Sequence, residues 1–146
     1  MTEIRRILCP IDFSPQSDKA ADHALALATA MGAELTLIHV LSEPALALEE
    51  SGGFQTPNLV AEYTEHMTQK LTEVASRLRP TGAPVPTKIL RGPIHEAIVE
   101  EAKAEHSDLI VMGTHGRTGI QHVLLGSMAE RVVRLAPVPV MTVRAH

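Results

Sequence analysis

Apolar residues along this chain fall into short unbroken runs that alternate with longer stretches of three-to-four-residue spacing. Ile4 to Ile11 holds Ile7, Leu8, Cys9 and Ile11, too continuously apolar for a strand with one wet face, and predicts a strand buried on both faces. Asp12 stands at its end. Ser14-Pro15 supplies an N-cap and a first helical residue, and an Ala/Leu-rich helix is expected as far as Met31, where Gly32 stops it. Glu34 to Leu41, with Leu35, Leu37, Ile38 and Val40, is the second expected strand.

Ser42 to Asn58 contains Pro44, Ser51-Gly52-Gly53 and Pro57 without a sustained period, and is expected to be a long, mobile excursion. From Leu59 to Leu78, Val60, Tyr63, Met67, Leu71, Val74 and Leu78 recur at helical spacing. Pro80, Gly82, Pro84 and Pro86 interrupt that pattern, and Val85 to Leu90 reads as a third strand. Gly92-Pro93 opens a helix with Ile94, Ala97, Ile98 and Ala102 on one stripe and Glu96, Glu100, Glu101 and Lys103 opposite. Asp108 to Met112 is the fourth strand, Ser127 to Leu135 the last helix, and Val138 to Val143 the fifth strand after Pro137. Strands that alternate with helices imply right-handed crossovers, hence an α/β fold with a doubly wound parallel sheet and helices on both faces. One domain over residues 1–146 suits this length, which removes roughly 68–70% of the unfolded chain's surface from water.

Composition narrows the function classes. A net charge of −4 and a pI near 6.0 argue against a general nucleic-acid or anionic-membrane surface. Cys9 is the single cysteine, which excludes an internal disulfide and a cysteine-based zinc site. It reads as a small buried apolar residue rather than a nucleophile. The eight histidines show no paired metal spacing, so no protein metal site is expected, and His39, in a buried strand, reads as a hydrogen-bonded core residue. The N-terminus carries no secretory pattern and no apolar run approaches about 18 residues, so a cytoplasmic location is the expectation.

The most informative stretch is Gly113-Thr-His-Gly116-Arg-Thr-Gly-Ile-Gln-His-Val-Leu-Leu-Gly126-Ser127. A strand, a glycine-rich loop and a helix start in that order make an anion site, because glycines let N–H groups converge and a helix leaves its first amides unpaired. Phosphate is the obvious guest. Gly113 and Gly116 would permit positive φ and close approach of backbone to ligand. Ser127 has a structural alternative, since Ser127-Met-Ala-Glu130 reads as a capping box. His115 and Arg117 are candidates for phosphate oxygens, or else solvated loop residues. Asp12 has its own bland reading as a turn or helix cap. No carboxylate within 113–127 could orient a water, and no Walker lysine is present, so no catalytic residue is assigned.

These residues resemble the universal stress protein family, whose nucleotide-binding members carry Gly, two residues, Gly, nine residues, then Gly-Ser or Gly-Thr; here Gly113, Gly116, Gly126 and Ser127 match it. Pro10-Ile11-Asp12-Phe13-Ser14, Leu37-Ile38-His39-Val40 and Pro137-Val138-Pro139-Val140 extend the likeness along the chain. The resemblance implies a five-stranded sheet in order 3-2-1-4-5, ATP bound across the first and fourth strands, and a homodimer through the last strand. It puts Asp12 on the ribose hydroxyls, the Val40 backbone at the adenine edge, and Gly113, Gly116, Gly126 and Ser127 on the phosphates. Pro10, Ile11 and Met112 flank these positions and complete the expected set with His115 and Arg117. A divalent metal, Mg2+ or Mn2+, would bridge phosphate oxygens, and ADP or AMP are alternatives to ATP. The function implied is an ATP-binding stress-response regulator working as a nucleotide-dependent dimeric switch with an unknown protein partner. Its alternatives are a slow ATP-hydrolysing or adenylate-transferring enzyme, and a member acting through protein contacts without nucleotide.

Overall fold

The computed structural model describes residues 3–42, 59–115 and 125–144; residues 43–58 of the expected excursion lie outside these. Strand β1 (Arg6–Pro10) is followed by helix α1 (Pro15–Met31), whose start is the expected one: Ser14 Oγ accepts the Ser17 amide at 3.2 Å and Pro15 opens the first turn. Gly32 ends α1 in the left-handed region at φ 65° and donates its amide to the Ala28 carbonyl. Then come β2 (Glu34–Leu41), α2 (Leu59–Leu78), β3 (Thr87–Arg91), α3 (Ile94–Ala104), β4 (Leu109–Gly113), α4 (Ser127–Leu135) and β5 (Val140–Val143).

All neighbouring strands are parallel, in the order β3-β2-β1-β4-β5. Alternate strand residues therefore serve two cores. Ile7, Cys9, Leu35, Leu37 and Val111 pack against the alanines of α1 and against Leu71 and Ala75 of α2. Leu8, Ile38, Ile110 and Met112 meet Ile98 and Ala102 of α3 and Ala129 and Val132 of α4 on the other face. Winding proceeds outward from β1 to β3, then returns to β4 beside β1 and continues to β5. The connections leaving the carboxyl ends of β1 and β4 thus part to opposite faces and leave a crevice between them.

Four strands start later than the apolar pattern suggests: β1 at Arg6 rather than Ile4, and β3, β4 and β5, two of which are delayed by proline. Pro84 and Pro86 have no N–H to offer a ladder, so β3 begins at Thr87, while Val85 is buried ahead of it and the Pro86 carbonyl accepts the Leu37 amide at 2.9 Å. Pro139 likewise defers β5 to Val140. Asp108 stands just ahead of β4, where its amide donates to the Arg6 carbonyl at 2.8 Å and its Oδ2 accepts the amides of Arg5 at 2.9 Å and Arg6 at 3.0 Å, fastening the start of β1. No helix among the described residues is long and apolar enough to cross a membrane.

Candidate functional site

The connection from β1 to α1 is a tight network. Asp12 Oδ1 accepts the Ser14 amide at 2.9 Å, and the Asp12 amide donates to Ser17 Oγ at 3.3 Å. Ser17 Oγ in turn donates to the Ser14 carbonyl at 3.0 Å. Asp12 therefore does cap a turn, as one sequence reading had it, and the residue inside that turn, Phe13, has φ 66°. A side chain in this region marks a turn held by its surroundings.

Across the crevice, β4 ends at Gly113 and buried Thr114, and the Gly126 amide returns to the Thr114 carbonyl at 2.7 Å. The positive φ expected of Gly113 is not found. Neither Gly113 nor Gly126 has positive φ; both are places of close approach. A Cβ at 113 would stand 2.9 Å from Gln16 Cβ and 3.1 Å from Gln16 C, so Gly113 lets α1 lie against the end of β4. A Cβ at 126 would meet the Thr114 carbonyl oxygen at 3.1 Å and His115 Cα at 3.3 Å.

The capping box expected at Ser127 does not form. The chain turns at Gly126 (φ −70°, ψ 163°), which takes the N-cap position and leaves Ser127 already inside the helix, too far along to cap it. Glu130 pairs with Arg134 at 2.5 Å instead. Helix α4 thus starts without a side-chain cap, and its opening amides and the positive end of its dipole are presented to whatever occupies the crevice.

That crevice is a cleft of about 860 Å³, within the usual size range of small-molecule sites. Pro10, Ile11 and Asp12 line it from the β1 side, Val40 from β2, and Met112, Gly113, His115, Gly126 and Ser127 from the β4 side. Gly116 and Arg117 lie outside the described residues. The His115 ring is set by Nδ1, 3.0 Å from Thr114 Oγ1, while its Nε2 is buried with no hydrogen-bond partner among the described residues. A buried, unsatisfied nitrogen beside a cleft is costly and is the kind of group a ligand oxygen relieves.

Other lining residues escaped sequence reasoning. Tyr63, His66, Met67 and Lys70 face the cleft from α2, and Ile94 and Ile98 from α3. The stripe of α2 was legible as apolar, yet only its lower half is core: Met67, Leu71, Ala75 and Leu78 are buried, while Tyr63 is 36% exposed. His39 makes the hydrogen bond expected of it, Nδ1 to the Ile11 carbonyl at 2.7 Å, but it is only half-buried and lines the cleft. Because a carbonyl can only accept, Nδ1 carries the proton. Cys9 is fully buried and burial pushes its thiol far up, which fits the inert reading. Among the described residues no group of three or more His, Cys, Asp or Glu side chains could hold a metal ion.

A cleft at the switch point of a 3-2-1-4-5 sheet, rimmed by glycines and an uncapped helix, can be compared with known proteins. The family model described as the universal stress protein family matches residues 3–144. The chain belongs to that family. Among curated universal stress proteins it is 37% identical to MJ0531 of Methanocaldococcus jannaschii over 142 residues, spanning 96% of this chain and 82% of that one. It is 33% identical to MJ0577 of the same organism over 153 residues, and the solved structure of MJ0577 superposes with a TM-score of 0.82, covering 98% of this chain and 97% of the other. A more distant universal stress protein from Archaeoglobus fulgidus, solved in complex with dAMP, shares the fold at 21% identity and a TM-score of 0.66, covering 98% and 99% of the two chains.

Proposed function

We propose that this universal stress protein binds an adenine nucleotide, ATP foremost, across the carboxyl ends of β1 and β4, and acts as a nucleotide-dependent dimeric switch rather than as an enzyme. One observation carries the reading: a single cleft is lined by the Asp12 carboxylate on one side and by Gly113, Gly126 and the uncapped start of α4 on the other. Ribose hydroxyls suit the carboxylate, and phosphate oxygens suit converging amides. The helix dipole contributes only about 0.3–1 kcal/mol, so backbone N–H groups, with His115 Nε2 beside them, supply most of the grip. Asp12 is the one carboxylate among the described lining residues, so Mg2+ or Mn2+ would be held by phosphate oxygens rather than by a protein cage. The related fold from Archaeoglobus fulgidus houses dAMP, so this architecture has room for an adenine nucleotide.

The switch reading needs a surface that a second copy can sense. Ile110 donates its amide to the Pro139 carbonyl and Thr114 to the Val143 carbonyl, so alternation turns the amides of Val140 and Thr142 away from β4. Strand β5 is the sheet edge and Met141 is 38% exposed. An edge of this kind supports pairing with its own copy.

The test is direct. Purified protein is denatured and the released nucleotide separated by chromatography, then fresh ATP and magnesium are added and turnover is followed beside a Gly113→Val, Gly126→Val double variant. Retained ATP without turnover supports the switch. Rapid turnover lost in the variant would replace it with an ATP-hydrolysing enzyme, and no nucleotide under any metal condition would leave a protein-contact role.

A further inference from the structure

Phe13 is the residue that ties the sugar side of the cleft to helix α2. It occupies the left-handed region at φ 66°, which a phenylalanine adopts only when its surroundings over-determine it. The ring packs against the core beneath α1, and two further neighbours hold it. The His39 ring lies with its centroid 4.7 Å away, tilted by 42°, and Lys70 Nζ stands 4.3 Å from the centre of the Phe13 ring. Phe13 is also the residue spanned by the bond from the Ser14 amide to Asp12 Oδ1. Its backbone therefore sets the direction in which the Asp12 carboxylate leaves the chain. Lys70 is the one lysine or arginine among the described residues lining the cleft, and it comes from α2.

We infer that Lys70 and Phe13 are positioning residues for sugar recognition: the ammonium clamps the ring, the ring fixes the left-handed turn, and the turn aims Asp12 at the ribose hydroxyls. The ligand class selected is a ribonucleotide over its deoxy counterparts. This rests on the nucleotide reading above and adds to it a residue on α2. A cation over an aromatic face at a half-exposed site is worth roughly two- to fivefold in an equilibrium. A hydrogen bond to a charged group is worth about tenfold or more.

Calorimetric titration of the full chain with ATP, 2′-deoxy-ATP and 3′-deoxy-ATP reads the effect as a ratio. The wild type is expected to prefer ATP by about tenfold. Lys70→Met, which keeps the stem and removes the charge, should lower ATP affinity roughly two- to fivefold and leave the deoxy nucleotides nearly unmoved. Phe13→Gly, which keeps the left-handed backbone and removes the ring, should act the same way, and Lys70→Arg should retain the preference. A merely structural role would weaken all three ligands alike, and that outcome, or an unchanged ratio in Lys70→Met, overturns the inference while nucleotide binding stands. A wild type that binds none of the three overturns both together. Should Phe13→Gly fail to fold, the comparison of Lys70→Met with Lys70→Arg still decides.

Discussion

The amide of Gly126 donates to the carbonyl of Thr114 at 2.7 Å, so the start of α4 is fastened to the end of β4 however the segment between them runs. This bond closes the base of the cleft on its β4 side. A Cβ on Gly126 would press against the same carbonyl at 3.1 Å, with backbone on the other side that has no rotamer to change. Gly126→Ala is therefore expected to weaken ATP binding by about fivefold to 150-fold, the equivalent of the roughly 1–3 kcal/mol that overpacking costs, with calorimetry as the check. Unchanged affinity would remove the bond from the account.

Gly113 answers to a different neighbour. Its Cβ would fall 2.9 Å from Gln16 Cβ, so Gly113→Ala must push α1 away from β4. A loss of about 1–3 kcal/mol in urea unfolding is expected, with the slope unchanged.

Two serines at helix starts should behave unlike each other. Ser14 caps α1 through its hydroxyl, and Ser14→Ala should cost about 1 kcal/mol. Ser127 caps nothing, and Ser127→Ala should stay within about 0.5 kcal/mol in the absence of ligand. Equal losses would show that the α4 start has been misread.

Strand β5 offers a test of self-association. Thr142 turns its amide outward, so Thr142→Pro removes a donor that β4 does not use. Sedimentation at micromolar concentration should show the wild type as a dimer and this variant as a monomer. A wild type that sediments as a monomer would remove the dimer from the account.

The Lys88 ammonium donates to Glu101 and Glu105, both at 2.6 Å. Those bonds raise the lysine above its ordinary range, and the Lys88 bond lowers the Glu105 carboxyl below the usual carboxylate value. A lowered carboxyl stabilises the fold above its unfolded pKa and loses that as pH falls through the folded value; a raised lysine stabilises below its unfolded pKa and loses that at high pH. Lys88→Met should therefore differ from wild type between about pH 5 and pH 10 and converge with it at either extreme. The gap should be small, about 0.2–1 kcal/mol, because Lys88 is half-exposed. Urea midpoints across pH supply the measurement.

Much of the fold was legible because its signals are local. The Ser14-Pro15 cap, the Gly32 stop and the bounds of β2, α2 and α4 each depend on a few consecutive residues and hydrophobic period. The starts of β3 and β5 slipped where proline interrupted the ladder. In the site, the chain pattern could say that glycines stand at the end of β4 and before α4, but not that the bare Cα of Gly113 makes room for Gln16 of α1. That depends on how closely α1 lies on the sheet, a tertiary quantity set by Ala20, Ala21, Ala24 and Ala28 together. Lys70 escaped for the same reason: on α2 it is one polar residue among many, and only the fold brings it over Phe13.

The most direct test follows individual backbone amides while magnesium and ATP are titrated into labelled protein. Joint occupancy predicts that the amide resonances of Asp12, Gly113, Gly126 and Ser127 shift together and saturate at one nucleotide concentration. Stationary signals at those four positions, whether or not nucleotide binds elsewhere, would contradict the account.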